Sequence, residues 1–248
     1  MTDFYDHPDL YDALFPAGAH ASFYADLARQ QKGAVLELAC GTGQLVIPIA
    51  LQGLSTVGLD RSHAMLTVAK GRASEAGASL ALLQSDMRDF ALRRKFKLIF
   101  VARNSLLHLL SNDDVLACFA SVRAHLARDG LFAFDVFNPD LTRYAGGAPG
   151  QRFPVMEINT PRFGTVRVEE TRDYDAASQV NHATWYISAS GQQEAWAVPL
   201  VLKSIFPDEL LSLLSAAGLD LIGRFGELSG DAFSLASRVQ VCLCRRRA

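Results

Sequence analysis

The run Val35-Leu36-Glu37-Leu38-Ala39-Cys40-Gly41-Thr42-Gly43 constrains this chain more than any other segment, because an apolar strand ends in a glycine turn immediately before a helix-forming stretch. A strand of this kind is buried on both faces and belongs to an open α/β sheet, whose crossover helices pack back onto it. Glycines at its end let backbone approach a ligand closely, in the crevice beyond the carboxyl ends of the strands where such sheets bind.

The same alternation continues to residue 137. Periodicity predicts strands over 35–39, 56–60, 80–83, 97–102 and 131–136, each buried on both faces, separated by helices over about 44–52, 62–76 and 112–127. Ser62 can cap the second helix and Gly77 can stop it. An aromatic arm precedes this core, residues 1–32, with a helix from about His20 to residue 31. The core is read as 33–150, closing on a loop from Asn138 that contains Gly146 and Gly147. Residues 151–206 alternate as an antiparallel sheet with one wet face does, so they are read as an inserted lid. In 207–248, Pro207 opens a helix, Gly218 ends it, and strands near 219–225 and 238–244 return to the main sheet.

Charge narrows the function. The 248 residues carry 26 acids against 24 Lys and Arg, a net charge of −2, so there is no general field to draw in a polyanion and nucleic acid is not an expected partner. The one basic run, Arg245 to Arg247, reads as a solvated end after a strand. Acids near the amino terminus and the lack of a long apolar stretch argue against a signal peptide or a membrane span, and imply a cytoplasmic protein. Cysteines at 40, 118, 242 and 244 suit reduced, buried thiols, and six scattered histidines offer no paired-ligand spacing, so no metal is expected.

An acid inside the first strand, Glu37, is not what a dinucleotide turn asks for, and Val46 stands where that motif needs a third small residue. No Gly-Lys-Ser/Thr follows either, which removes a phosphate loop. A carboxylate beside the glycine turn suits a ligand with positive charge, whose desolvation it can offset. Asp60 ends the second strand, where an acid can accept both hydroxyls of a ribose or simply cap the next helix. Asp86 and Met87 follow the third strand and would place a carboxylate at an adenine amino group and a thioether against its ring.

With these residues in series the chain resembles the class I S-adenosylmethionine-dependent methyltransferases. The family's acid-x-Gly-x-Gly-x-Gly motif stands here as Glu37, Ala39, Gly41 and Gly43, with alanine replacing one glycine. The resemblance implies a Rossmann-like, mostly parallel sheet of seven strands with the last antiparallel, carrying an antiparallel β insert. It implies that the glycine turn holds the methionine part of S-adenosylmethionine, Asp60 the ribose, and Asp86 with Met87 the adenine; Arg61 and Arg103 complete the cofactor set. Within the family the aromatic arm, the stretch Val101–Leu109 and the insert look most like enzymes that methylate small molecules, including amino groups of glycine or of nucleotide-linked amino sugars.

Methyl transfer asks the protein mainly for alignment, and a base helps where the acceptor must lose a proton. His108 is the candidate base, with a histidine bonded to backbone as its plain alternative. Tyr11 is placed with it, and Tyr5, Asn104, Phe137 and Trp185 are candidate substrate contacts; Asn104 would otherwise cap a turn, and Tyr5 and Trp185 would otherwise pack. The expected activity is transfer of a methyl group to nitrogen or oxygen of a small metabolite, leaving S-adenosylhomocysteine. The alternatives are an RNA or protein methyltransferase and a non-catalytic cofactor-binding module. The insert would set specificity, and an exposed apolar face on it would invite a second copy of the chain.

Overall fold

The computed structural model describes residues 4–140, 142, 148, 150–190 and 196–247. The expected loop around Gly146 and Gly147 lies outside the described residues. The chain opens with a 3-10 turn, Phe4–Asp6, then α1 (Pro8–Leu14) and α2 (Gly18–Gln31). The core follows as β1 (Val35–Leu38), α3 (Val46–Ala50), β2 (Thr56–Asp60), α4 (His63–Glu75), β3 (Ala81–Gln84), β4 (Phe96–Val101), α5 (Asn112–His125) and β5 (Leu126–Phe137). A second group of strands, β6 (Phe153–Thr160), β7 (Gly164–Thr171), β8 (Tyr174–Asp175), β9 (Val180–Ala189) and β10 (Trp196–Lys203), precedes α6 (Pro207–Ala216), β11 (Leu219–Phe225) and β12 (Val239–Arg246).

The main sheet has seven strands in the order β11-β12-β5-β4-β1-β2-β3. Strands β3, β2, β1, β4 and β5 are parallel, and β12 runs antiparallel to both β5 and β11. Alternate residues of β1, β4 and β5 feed two cores. Leu36, Ile99 and Phe132 pack under α5 and α6, while Val35, Phe100 and Ala133 pack under Tyr24 and Leu27 of α2 and Ile49 of α3. That two-sided burial explains the continuous apolar runs.

Local chemistry sets the helix limits. Ser62 Oγ accepts from the Met65 amide at 3.2 Å to start α4, Ser111 Oγ accepts from the Asp114 amide at 3.1 Å to start α5, and Glu209 accepts from the Phe206 amide at 3.3 Å ahead of α6. Gly77 and Gly218 stand at φ +64° and +70° just past their helices.

Several expectations are corrected. β3 is an edge strand with no residue fully buried, because nothing pairs its outer side. α3 is five residues long, and β5 begins at Leu126, directly where α5 stops. The arm is more helical than its composition indicated, since Pro8 opens α1.

Strands β10, β9, β7 and β6 form a separate antiparallel sheet, with β8 beside β9. Its apolar face, carrying Val166, Val168, Trp185 and Ile187, packs on Phe4, Leu10 and Leu14 of the arm. This apolar face of the insert is therefore covered by the arm of the same chain. Among the described residues no helix is long and apolar enough to cross a membrane, and all four cysteines are buried and free.

Candidate cofactor site

A cavity of about 590 Å³ opens beyond the carboxyl ends of β1, β2 and β4, lined among others by Tyr5, Gly41, Asp60, Met87, His108 and Leu110. A chamber of about 20 Å³ adjoins it, sharing Tyr11, Ala39 and Ser105 and closed by Glu37, Gln44 and Arg103. Another hollow, near Arg29, Lys32, Gln52 and Ser55, lies at the amino ends of β1 and β2, away from the ligand crevice of such sheets.

Glu37 is the deepest charge here. It is 3 % exposed, and its Oε2 has no hydrogen-bond partner. Burial pushes its carboxyl well above the usual range; Arg103 and the Val46 amide oppose that shift, and Asp60 adds to it. A buried carboxyl with one unpartnered oxygen, lining the same small chamber as Arg103, suits a zwitterionic end of a ligand entering from the large cavity, with ammonium toward Glu37 and carboxylate toward the guanidinium.

Asp60 splints the turn. Its Oδ2 accepts from the Gly41 amide at 2.7 Å and its Oδ1 from the Ser62 amide at 2.8 Å, while burial raises its pKa against those bonds. Gly41 has φ +52° and open space where a Cβ would point, so a ligand can lie against it. Gly43 lines neither cavity; at φ +80° a Cβ there would meet Ile47 Cδ1 at 2.6 Å, so it serves the packing of α3. Ala39, which replaces a glycine of the family motif, also sits left-handed at φ +55°, a strain of about 1–2 kcal/mol that glycine would avoid.

Beyond β3, Asp86 and Met87 line the large cavity. Arg88 grips the Asp86 carboxylate with Nε at 3.0 Å and a terminal nitrogen at 2.7 Å, and reaches Asp114 at 2.7 Å with the other. That grip lowers the pKa of Asp86 and holds it ionised, with both oxygens already bonded. Arg61 is exposed at the rim.

After β4 come two successive left-handed residues, Arg103 at φ +56° and Asn104 at φ +62°. Such backbone at a non-glycine costs about 1–3 kcal/mol per residue and is found where a site requires it. The Arg103 guanidinium then reaches the carbonyls of Phe15 and Pro16 at 2.9 and 2.8 Å and Gln44 Oε1 at 3.3 Å. Tyr11 stands beside it; burial raises the Tyr11 pKa and Arg103 opposes the rise. The 3-10 turn Ser105–His108 brings His108 to the cavity wall, where its Nε2 is 2.6 Å from the Tyr5 hydroxyl.

Three expected substrate contacts do not line the described cavities. Trp185 stacks on Phe15 and donates to Glu170 Oε2 at 2.9 Å, so it packs the arm against the insert. Phe137 is half exposed at the end of β5, and Asn104 faces away with a buried Oδ1 that has no partner. Residues the sequence did not single out matter more. Asp12 accepts from Thr42 Oγ1 at 2.6 Å and from Gln44 and pairs with Arg72 at 2.5 Å, tying the arm to the glycine turn and α4. No spacing in the sequence marks it, since its partners lie 30 and 32 residues away.

Residues 35–130 match the methyltransferase domain family. The dTDP-3-amino-3,4,6-trideoxy-alpha-D-glucopyranose N,N-dimethyltransferase of Streptomyces venezuelae is 37 % identical over 135 residues, 51 % of this chain and 55 % of that protein. The cypemycin N-terminal methyltransferase of a Streptomyces species is 24 % identical over 247 residues, 96 % of this chain and 94 % of that protein. The solved CcbJ methyltransferase from Streptomyces caelestis superposes with a TM-score of 0.84 over 99 % of each chain at 25 % identity. The chain spans about half the length of the curated relatives that it matches first. The match falls on the segment that carries Glu37, the glycine turn, Asp60 and Asp86, and this core belongs to the class I S-adenosylmethionine-dependent methyltransferases.

Proposed function

We propose that the chain transfers a methyl group from S-adenosylmethionine to an amino group of a small molecule. The observation that carries this reading is the buried Glu37 carboxyl with its Oε2 unpartnered, in a chamber that it shares with Arg103 and that adjoins the cavity beside Asp60. These residues fit the cofactor: Glu37 would take its ammonium group, Arg103 its carboxylate, Asp60 the ribose and Met87 the adenine ring. When bound, S-adenosylmethionine supplies a methyl group on a sulfonium, activated for in-line displacement.

The remaining work belongs to the chain. The arm, clamped by Asp12 and Arg103, sets Tyr11 against the chamber. Tyr5, Tyr11 and His108 form the wall where an acceptor would stand, and the Tyr5 hydroxyl fixes the imidazole edge. His108 takes the proton that an ammonium acceptor must lose before its lone pair can attack. Nitrogen is favoured over oxygen by the likeness to an amino-sugar N,N-dimethyltransferase and to an N-terminal methyltransferase. The small size of the acceptor fits the lack of a basic field on a chain of net charge −2.

Calorimetry with S-adenosylhomocysteine followed by a screen of amines and hydroxylated metabolites, with mass analysis of the products, tests this reading. Micromolar binding and methylated amine are expected. Binding with O-methylated products only would overturn the choice of nitrogen, and no binding would overturn the cofactor assignment.

A further inference from the structure

Asp135 lies near the end of β5, 3 % exposed, between the fully buried Phe134 and Val136. Its Oδ2 accepts from the Arg103 amide at 2.9 Å, and its own carbonyl accepts from the Asn104 amide at 3.2 Å. Both amides of the left-handed pair are thus held by a single residue on the neighbouring strand. Its other oxygen, Oδ1, accepts from the Tyr24 hydroxyl at 2.6 Å, and His20 Nε2 lies 3.3 Å from Oδ2. Tyr24 is itself fully buried, its ring stacked on Phe100 at 4.4 Å, so α2 delivers a rigid donor to the carboxylate.

A buried carboxylate bonded to one strained amide, one rigid hydroxyl and a ring nitrogen, on a residue whose carbonyl takes the next strained amide, has a geometric task. The carboxylate is the acceptor that the Arg103 amide has in its left-handed conformation, and from that backbone the guanidinium reaches Gln44 and the carbonyls of Phe15 and Pro16. We infer that Asp135 is the positioning residue of the chamber: by holding Arg103 and Asn104 left-handed, it aims the Arg103 guanidinium at the amino-acid end of the cofactor. This rests on the reading of the chamber given under Proposed function.

The test compares two ligands that share adenosine and a thioether, S-adenosylhomocysteine, which has the amino-acid end, and 5′-methylthioadenosine, which lacks it. Asp135→Asn keeps the volume and removes the charge and one acceptor. It is expected to weaken S-adenosylhomocysteine about tenfold, as loss of a hydrogen bond to a charged group does, and to leave 5′-methylthioadenosine unchanged. In an Arg103→Gln background the same substitution is expected to add almost nothing, because the group it aims is gone. Should Asp135→Asn fail to fold, Tyr24→Phe, which frees only Oδ1, is expected to show the same selective loss more weakly. Equal weakening of both ligands, or additive losses in the double variant, would show a merely structural acid and overturn the inference. If the unaltered protein binds the two ligands equally, the chamber reading itself falls and the inference with it, an outcome separable from the others before any variant is made.

Discussion

The Tyr5 hydroxyl lies 2.6 Å from His108 Nε2, a bond between residues 103 positions apart that joins the arm to the turn after β4 at the cavity wall. It ties the arm to the cavity wall and orients the His108 imidazole, one of two, with His63, that line the cavity. His108→Ala is expected to lower turnover on an amine about 100-fold and leave S-adenosylhomocysteine affinity within about twofold, because in the proposed reaction the imidazole would move a proton without holding the cofactor. Tyr5→Phe should cost less, about tenfold, since the ring remains and only its orienting bond is lost. Steady-state kinetics beside calorimetry separate the two effects; a parallel loss of affinity would put His108 in binding instead.

Glu37→Gln should act in opposite directions on stability and on binding. Burial raises the Glu37 pKa, so the folded protein keeps its proton at pH values where the unfolded chain has lost it. Stability from this group is present below the ordinary carboxylate range and declines as pH rises toward the folded value. The variant removes that decline, so the ligand-free protein should melt higher than the parent at neutral pH. S-adenosylhomocysteine should bind about 1.5–3 kcal/mol more weakly, the worth of a hydrogen bond to a charged group. Melts with and without ligand between about pH 5 and 8 measure both.

Ala39→Gly relieves a left-handed alanine at φ +55°. The expected gain is about 1 kcal/mol, or a rise of about 2–4 °C in Tm for a chain of this size. An unchanged or lower Tm would mean that greater freedom of glycine in the unfolded chain cancels the relief.

Asp60→Ala removes the acceptor of the Gly41 and Ser62 amides together with the carboxylate facing the cavity. S-adenosylhomocysteine should weaken by about 2–3 kcal/mol, and the ligand-free Tm should fall as well. Retained affinity would remove Asp60 from the site.

Asp12→Ala cuts the arm from Thr42, Gln44 and Arg72. Hydrogen exchange over residues 4–16 should quicken by an amount matching about 1.5–3 kcal/mol of lost local stability. No change would mean that the packing of Phe4, Leu10 and Leu14 against the insert holds the arm alone.

The order of strands and helices was legible in the chain because each is marked by local chemistry: apolar runs for strands buried on both faces, Ser62 and Pro207 at helix starts, Gly77 and Gly218 at helix ends. The glycine turn and the acids at Glu37, Asp60 and Asp86 were legible for the same reason, since each sits within, at the end of or just beyond its strand. Partners far apart in sequence were not. No periodicity shows that β3 lies at an edge, that the arm covers the insert's apolar face and turns Trp185 into a packing residue, or that Asp12 and Asp135 hold the site's geometry across 30 and 32 residues. Strain at Ala39, Arg103 and Asn104 was hidden too, because nothing local in the sequence marks it, and at Arg103 and Asn104 it is bonds to Asp135, 31 or more residues away, that hold the backbone. Local propensity and spacing therefore determined the architecture and the acids at the carboxyl edge of the sheet, while long-range hydrogen bonds and packing decided how those acids are aimed and what closes over them.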